Sequence, residues 1–129
     1  MHTEILVGNK IEEGRRLIET LDQSGLSPKI AFWYYAPARE EWRLAMSIPI
    51  VDRIGSLKGY GKIASVMKKL RPPLGMYLSD IHLEDSSGRV VSAVKAAVRP
   101  KKRAVDAFKN INRYADAEYI QDAYVYRIQ

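Results

Sequence analysis

Three side chains at i, i+2 and i+4, Asp80, His82 and Glu84, come nearest to a metal site in this sequence. On a strand they share one face and turn carboxylate, imidazole and carboxylate toward the same space. A divalent ion held there would lower the pKa of a bound water and support hydrolysis. Same-face neighbours stand about 7 Å apart along a strand, so the ion would need further ligands from elsewhere in the fold. The competing reading is the polar side of an amphipathic strand, with Ile81 and Leu83 buried opposite. No Glu-x-Lys follows on a strand, so an Asp…Glu-x-Lys nuclease pattern is not completed.

The second chemistry-bearing feature is cationic. Residues 86–113 hold eight basic side chains and one acid, Asp106, against 12 basic and 11 acidic in residues 1–85 and one basic and three acidic in 114–129. On this division the 86–113 segment carries the surplus behind the net charge of +6. Its densest part is Arg99-Pro100-Lys101-Lys102-Arg103, read as a loop between a helix and a strand. Lys95, Arg99, Lys101, Lys102 and Arg103 are therefore the candidate contacts to nucleic acid or another polyanion, through counterion-releasing phosphate contacts. The alternative is a solvated loop that serves solubility. No helix-turn-helix, zinc finger or RNA-binding aromatic motif accompanies it.

Other chemistries find little support. The absence of cysteine removes disulfide frameworks, zinc ribbons, iron–sulfur sites and thiol nucleophiles. His82 is the one imidazole away from the terminus. Around Gly55-Ser56-Leu57-Lys58-Gly59-Tyr60-Gly61-Lys62, five residues rather than four separate Gly55 from Gly61. Ile63 also stands where a phosphate-binding loop needs Ser or Thr. There is no Gly-x-Ser-x-Gly elbow. Glu40 and Glu41 are adjacent, so on a strand they point to opposite faces. No catalytic residue and no cofactor is assigned, and the expectation is a non-enzymatic binding or interaction protein.

The elements that must position these groups follow from periodicity. Residues 3–24 have Val7, Ile11, Leu17, Ile18 and Leu21 at helical spacing, with a stop at Gly25. Residues 29–35 are apolar on both faces after Lys29, which suits a central strand. A polar turn over 36–41 leads to a strand over 42–50, where Trp42, Leu44, Met46, Ile48 and Ile50 share a face. Pro49 suggests that this strand leaves its ladder there or lies at an edge. A helix is expected over 56–70 with Ser56 as its cap, a short strand over 76–84, a helix over 89–98, and strands over 105–114 and 119–128. The order is α-β-β-α-β-α-β-β: an α+β fold with a mixed or mostly antiparallel sheet of about five strands and three helices.

The aromatics Phe32, Trp33, Tyr34, Tyr35, Trp42, Tyr124 and Tyr126 read first as sheet packing. One aromatic face, with Arg43 and Arg127, is also a candidate homodimer surface, and an exposed final strand a candidate for edge-to-edge pairing with a second copy. The segments 32–44 (Phe-Trp-Tyr-Tyr-Ala-Pro-Ala-Arg-Glu-Glu-Trp-Arg-Leu) and 122–127 (Asp-Ala-Tyr-Val-Tyr-Arg), with the amphipathic first helix, resemble a group of small prokaryotic proteins of unknown function. That resemblance implies a prokaryotic, cytoplasmic, single-domain protein and no particular activity.

Size and composition agree with this frame. A chain of 129 residues with 47% hydrophobic and 28% charged side chains is one domain, 1–129, by the usual size relation and can bury a core without metals or disulfides. The longest nearly apolar stretch, 30–36, falls far short of the roughly 20 residues of a membrane helix. The start has no basic region ahead of an apolar run, so no signal peptide is expected.

Overall fold

A computed structural model of the protein describes residues 8–98 and 107–129. The elements are α1 (Gly8–Gln23), β1 (Ile30–Ala36), β2 (Glu41–Ser47), α2 (Pro49–Ile54), α3 (Ser56–Lys69), a 3-10 turn (Leu78–Asp80), β3 (Ile81–Leu83), α4 (Arg89–Val98), β4 (Ala107–Ala115) and β5 (Glu118–Ile128). The five strands form one sheet in the order β3-β2-β1-β5-β4, with β2 and β3 parallel and the other neighbours antiparallel. This is the α+β fold expected, with one helix more than expected.

The central strand is the one whose residues are apolar on both faces. All seven residues of β1 are buried. Ala31 and Trp33 join Leu17, Ile18 and Leu21 of α1, Leu44 and Met46 of β2, and Ile63 of α3 in one core layer. Ile30, Phe32 and Tyr34 join Val90, Val91 and Val94 of α4 in the other. Helices therefore cover the sheet from both sides: α1, α2 and α3 from one, α4 from the other. Among the described residues no helix is long and apolar enough to cross a membrane.

Two expectations need correction. The strand expected over 42–50 ends at Ser47: it leaves its ladder just before Pro49, as one of the two readings of that proline had it, and it is not an edge. Pro49 opens α2, where its missing N–H and fixed φ cost nothing in the first turn. The strand expected over 76–84 shrinks to Ile81–Leu83, because Asp80 folds back on Tyr77. Its carboxylate accepts the Tyr77 N–H at 2.8 Å and its own N–H donates to the Tyr77 carbonyl at 2.9 Å.

The final strand is not an edge. β5 lies between β1 and β4, so the sheet's edges are β3 and β4. The β3 edge is closed from α3: Tyr60 Oη accepts the Leu83 N–H at 2.9 Å and donates to the Ile81 carbonyl at 3.3 Å. These are the groups that would otherwise template another strand.

A bulge in β5 fixes α1. The register runs Ala31↔Arg127 and then Phe32↔Val125, leaving Tyr126 as the extra residue. An extra residue re-aims side chains, and here both Tyr126 and Arg127 reach α1 and its following loop. Tyr126 Oη donates to the Ile11 carbonyl at 2.5 Å and accepts from Trp33 Nε1 at 2.9 Å. Arg127 grips Asp22 through two nitrogens, each at 3.0 Å, and donates to the Pro28 carbonyl at 3.0 Å. The Arg127 hydrogen bond holds the Asp22 carboxyl below the usual range.

Candidate nucleic-acid interface

The would-be metal ligands have other work. Asp80 holds the turn before β3. Glu84, just beyond β3, accepts the N–H groups of Val91 at 2.6 Å and Val90 at 3.2 Å. These are otherwise unpaired donors of the first turn of α4, where a carboxylate also suits the positive end of the helix dipole. His82 Nε2 lies 3.0 Å from Glu84 Oε2, and its ring packs edge-on against Tyr34 at 6.1 Å between centroids. Burial disfavours the charged Glu84 carboxylate. The hydrogen bonds from His82, Val91 and Val90 outweigh that and leave its pKa below the ordinary value. The structure pairs His82 with Glu84 but does not bring Asp80 to them. Among the described residues no three His, Cys, Asp or Glu side chains are placed to hold a metal ion.

The aromatic sheet face is covered by the chain's own helices over most of its area. Phe32, Trp33 and Tyr34 are fully buried. Arg127 is committed to Asp22, and Arg43 donates to the Ile81 carbonyl at 3.1 Å. Among the described residues, exposure on this aromatic face is concentrated at Phe108 on β4. There Tyr35, Trp42, Phe108 and Tyr124 follow one another at centroid distances of 5.4, 6.3 and 4.9 Å, and Phe108 is 53% exposed.

The basic segment needs to be divided by position. Of its candidate contacts, Lys95 lies half-buried on α4, while Arg99, Lys101, Lys102 and Arg103 lie outside the described residues. Around Lys95 the same layer carries three further cations: Arg89 at the start of α4, and Lys109 and Arg113 on β4. Lys95, Lys109 and Arg113 have no ion pair or hydrogen-bond partner among the described residues.

Arg89 and Arg113 line one groove of about 520 Å³ between α4 and β4, with Ser92, Asn112, Tyr114 and Asp116 as its other polar walls and alanines from both elements as its floor. A second bulge shapes it. The β4 register shifts between Asn110 and Arg113, with Asn112 at φ 47°. Asparagine tolerates that left-handed conformation better than most residues. Tyr114 past the bulge is 69% exposed, its ring edge-on to Tyr119 at 5.1 Å. Tyr119 Oη donates to Asn112 Oδ1 at 2.9 Å, which pins the bulge. Arg89 is braced by the Ala115 carbonyl at 3.3 Å and by Glu118 at 3.5 Å, and Glu118 also holds Arg39 at 2.9 Å. The groove thus presents one fixed guanidinium, a second with no partner among the described residues, two neutral hydrogen-bonding side chains and an open aromatic ring, with the two guanidinium groups set against the single carboxylate of Asp116. That combination suits an anionic ligand with planar groups.

A second basic surface escaped the division of the sequence at residue 85. Residues 53–79 contain six cations (Arg53, Lys58, Lys62, Lys68, Lys69 and Arg71) and no acid. The eight acids and six cations of residues 1–52, and three more acids at 80, 84 and 85, cancelled them in the sum. A window of one helix length would have exposed the signal.

Comparison of the chain with known protein families, with curated proteins and with solved structures gives no match in any of the three.

Proposed function

We propose that this is a non-enzymatic binding protein that takes single-stranded nucleic acid in the α4–β4 groove. The observation that carries the reading is Arg113, without a partner among the described residues, beside the open ring of Tyr114 and opposite Arg89 in the groove. Guanidinium groups pair with phosphates, and an exposed ring stacks on an unpaired base of any identity. In sequence, the eight residues between α4 and β4, outside the described ones, contain Arg99, Lys101, Lys102 and Arg103 against one acid, Asp106.

Fluorescence anisotropy with a labelled single-stranded oligonucleotide tests it. Arg113→Glu is expected to weaken binding about tenfold or more, and Tyr114→Ala by about 1–3 kcal/mol. Failure of the unmodified protein to bind at low salt overturns the reading.

A second reading, self-association along β4, is favoured by one observation. Among the described residues β4 is a sheet edge with no strand beside it, where Tyr60 closes the other edge, and it carries the half-exposed Phe108. It predicts a dimer in sedimentation velocity that Phe108→Glu dissociates. A monomer at high concentration removes it.

A further inference from the structure

We propose that α3 is a second nucleic-acid surface, so that one molecule holds two segments of nucleic acid at once. This rests on the reading of the α4–β4 groove given above, and extends it from binding to bridging.

The charge on α3 is organised. Its 14 residues include Lys58, Lys62, Lys68 and Lys69 and no acid. Lys58, Lys62 and Lys69 stand at i, i+4 and i+11, which keeps them on one side of the helix over about 16 Å. All four lysines are exposed, and none has an ion-pair partner among the described residues. The opposite side is committed to the core through Ile63 and through Gly59, where an added Cβ would lie 2.8 Å from Val51 Cγ2. In sequence Arg53, preceded by Asp52, comes before the helix and Arg71 after it, and Asp80 is the next acid along the chain.

The position of α3 decides what this surface can do. It packs on the face of the sheet that also carries α1, whereas the α4–β4 groove lies on the other face. One straight strand cannot lie along both, so the two surfaces engage two segments. The chemistry also differs. The groove offers an aromatic ring for stacking, while the lysine side of α3 offers point charges and turns Tyr60 inward to β3. Lysines spread along a helix suit a phosphate backbone read without regard to sequence. An anionic bilayer would call for apolar side chains interleaved with the lysines, and this surface has Leu57 alone at its start.

A capture assay reads the proposal. A biotinylated DNA duplex on beads is mixed with a fluorescent single-stranded oligonucleotide and the full chain, and retained fluorescence is measured. Retention is expected with the unmodified protein. The variant Lys58→Gln, Lys62→Gln, Lys68→Gln, Lys69→Gln is expected to lower retention about tenfold or more, because each lost phosphate contact reduces affinity. Its single-strand affinity in anisotropy should stay within about twofold, since the groove is untouched. The double variant Lys58→Gln, Lys62→Gln should fall between, and glutamine keeps the helix propensity of lysine. Retention unchanged in the fourfold variant overturns the inference, as does no retention by a protein that binds the strand normally. Lysine-dependent sedimentation with phosphatidylglycerol vesicles, without duplex retention, overturns it in favour of a membrane occupant. In each case the groove reading stands. Loss of single-strand binding by the unmodified protein instead removes the groove reading itself.

Discussion

Trp33 donates its indole N–H to Tyr126 Oη at 2.9 Å, across 93 positions of sequence. The bond is buried, and the hydroxyl in turn donates a hydrogen bond to the Ile11 carbonyl of α1. Burial pushes the Tyr126 hydroxyl well above its ordinary pKa, so it remains a donor throughout the accessible pH range. One hydroxyl thus ties the central strand, its neighbour and the first helix together.

Two substitutions test that junction by equilibrium denaturation. Tyr126→Phe leaves the Trp33 N–H and the Ile11 carbonyl without this partner and is expected to cost about 1–3 kcal/mol. Gly14→Ala would ordinarily favour a helix by about 1 kcal/mol. Here the new methyl would overlap Tyr126 Oη and lie 2.9 Å from Trp33 Nε1. A net loss of about 1–3 kcal/mol is expected. A stabilised Gly14→Ala protein would contradict the geometry.

Glu84 sets a pH dependence. Its folded pKa lies below the unfolded value, so its contribution is complete above the unfolded carboxyl range, about 4.3, and is lost as pH falls through the folded pKa. Glu84→Gln removes that loss: its stability should fall less steeply on acidification than that of the unmodified protein. Glu84→Ala also removes the acceptor for Val90 and Val91 and should cost about 0.5–2 kcal/mol at neutral pH. Parallel acid limbs for the unmodified and Glu84→Gln proteins would contradict this account.

Tyr60→Phe tests the closed edge. It strands the Leu83 N–H, while the Ile81 carbonyl keeps Arg43. A loss of about 1–2 kcal/mol is expected, with concentration-dependent association by light scattering as β3 opens to another strand. Unchanged stability and a monomer at all concentrations would show that Tyr60 does not guard the edge.

How much of this was legible in the sequence depends on whether the signal was local. β1 announced itself as a central strand because its residues are apolar in both registers, and α4 because Val90, Val91, Val94 and Val98 repeat at helical spacing despite their β-branching. The alternation in 76–84 extended across Asp80, but a side-chain bond from Asp80 to Tyr77 turned that stretch into a 3-10 turn. Pro49 fits a strand edge and a helix start equally well, and only the following residues decide between them. The site was harder to read. Glu84 and His82 looked like ligands by spacing, whereas the partners that occupy Glu84 come from a helix the spacing cannot place. The Asn112 bulge that presents Arg113 and Tyr114 leaves no pattern in the sequence, and the lysines of α3 vanish when charge is summed over 85 residues.

The most direct measurement of the central claim is the affinity of the unmodified protein for a labelled single-stranded oligonucleotide as salt is raised from about 50 to 200 mM. The account predicts binding whose logarithm falls linearly with the logarithm of salt, with a slope of about −2 or steeper for three or more phosphate contacts. In Arg113→Glu the slope should shrink by about one. No binding at the lowest salt, or binding that salt and Arg113→Glu leave unchanged, would contradict it.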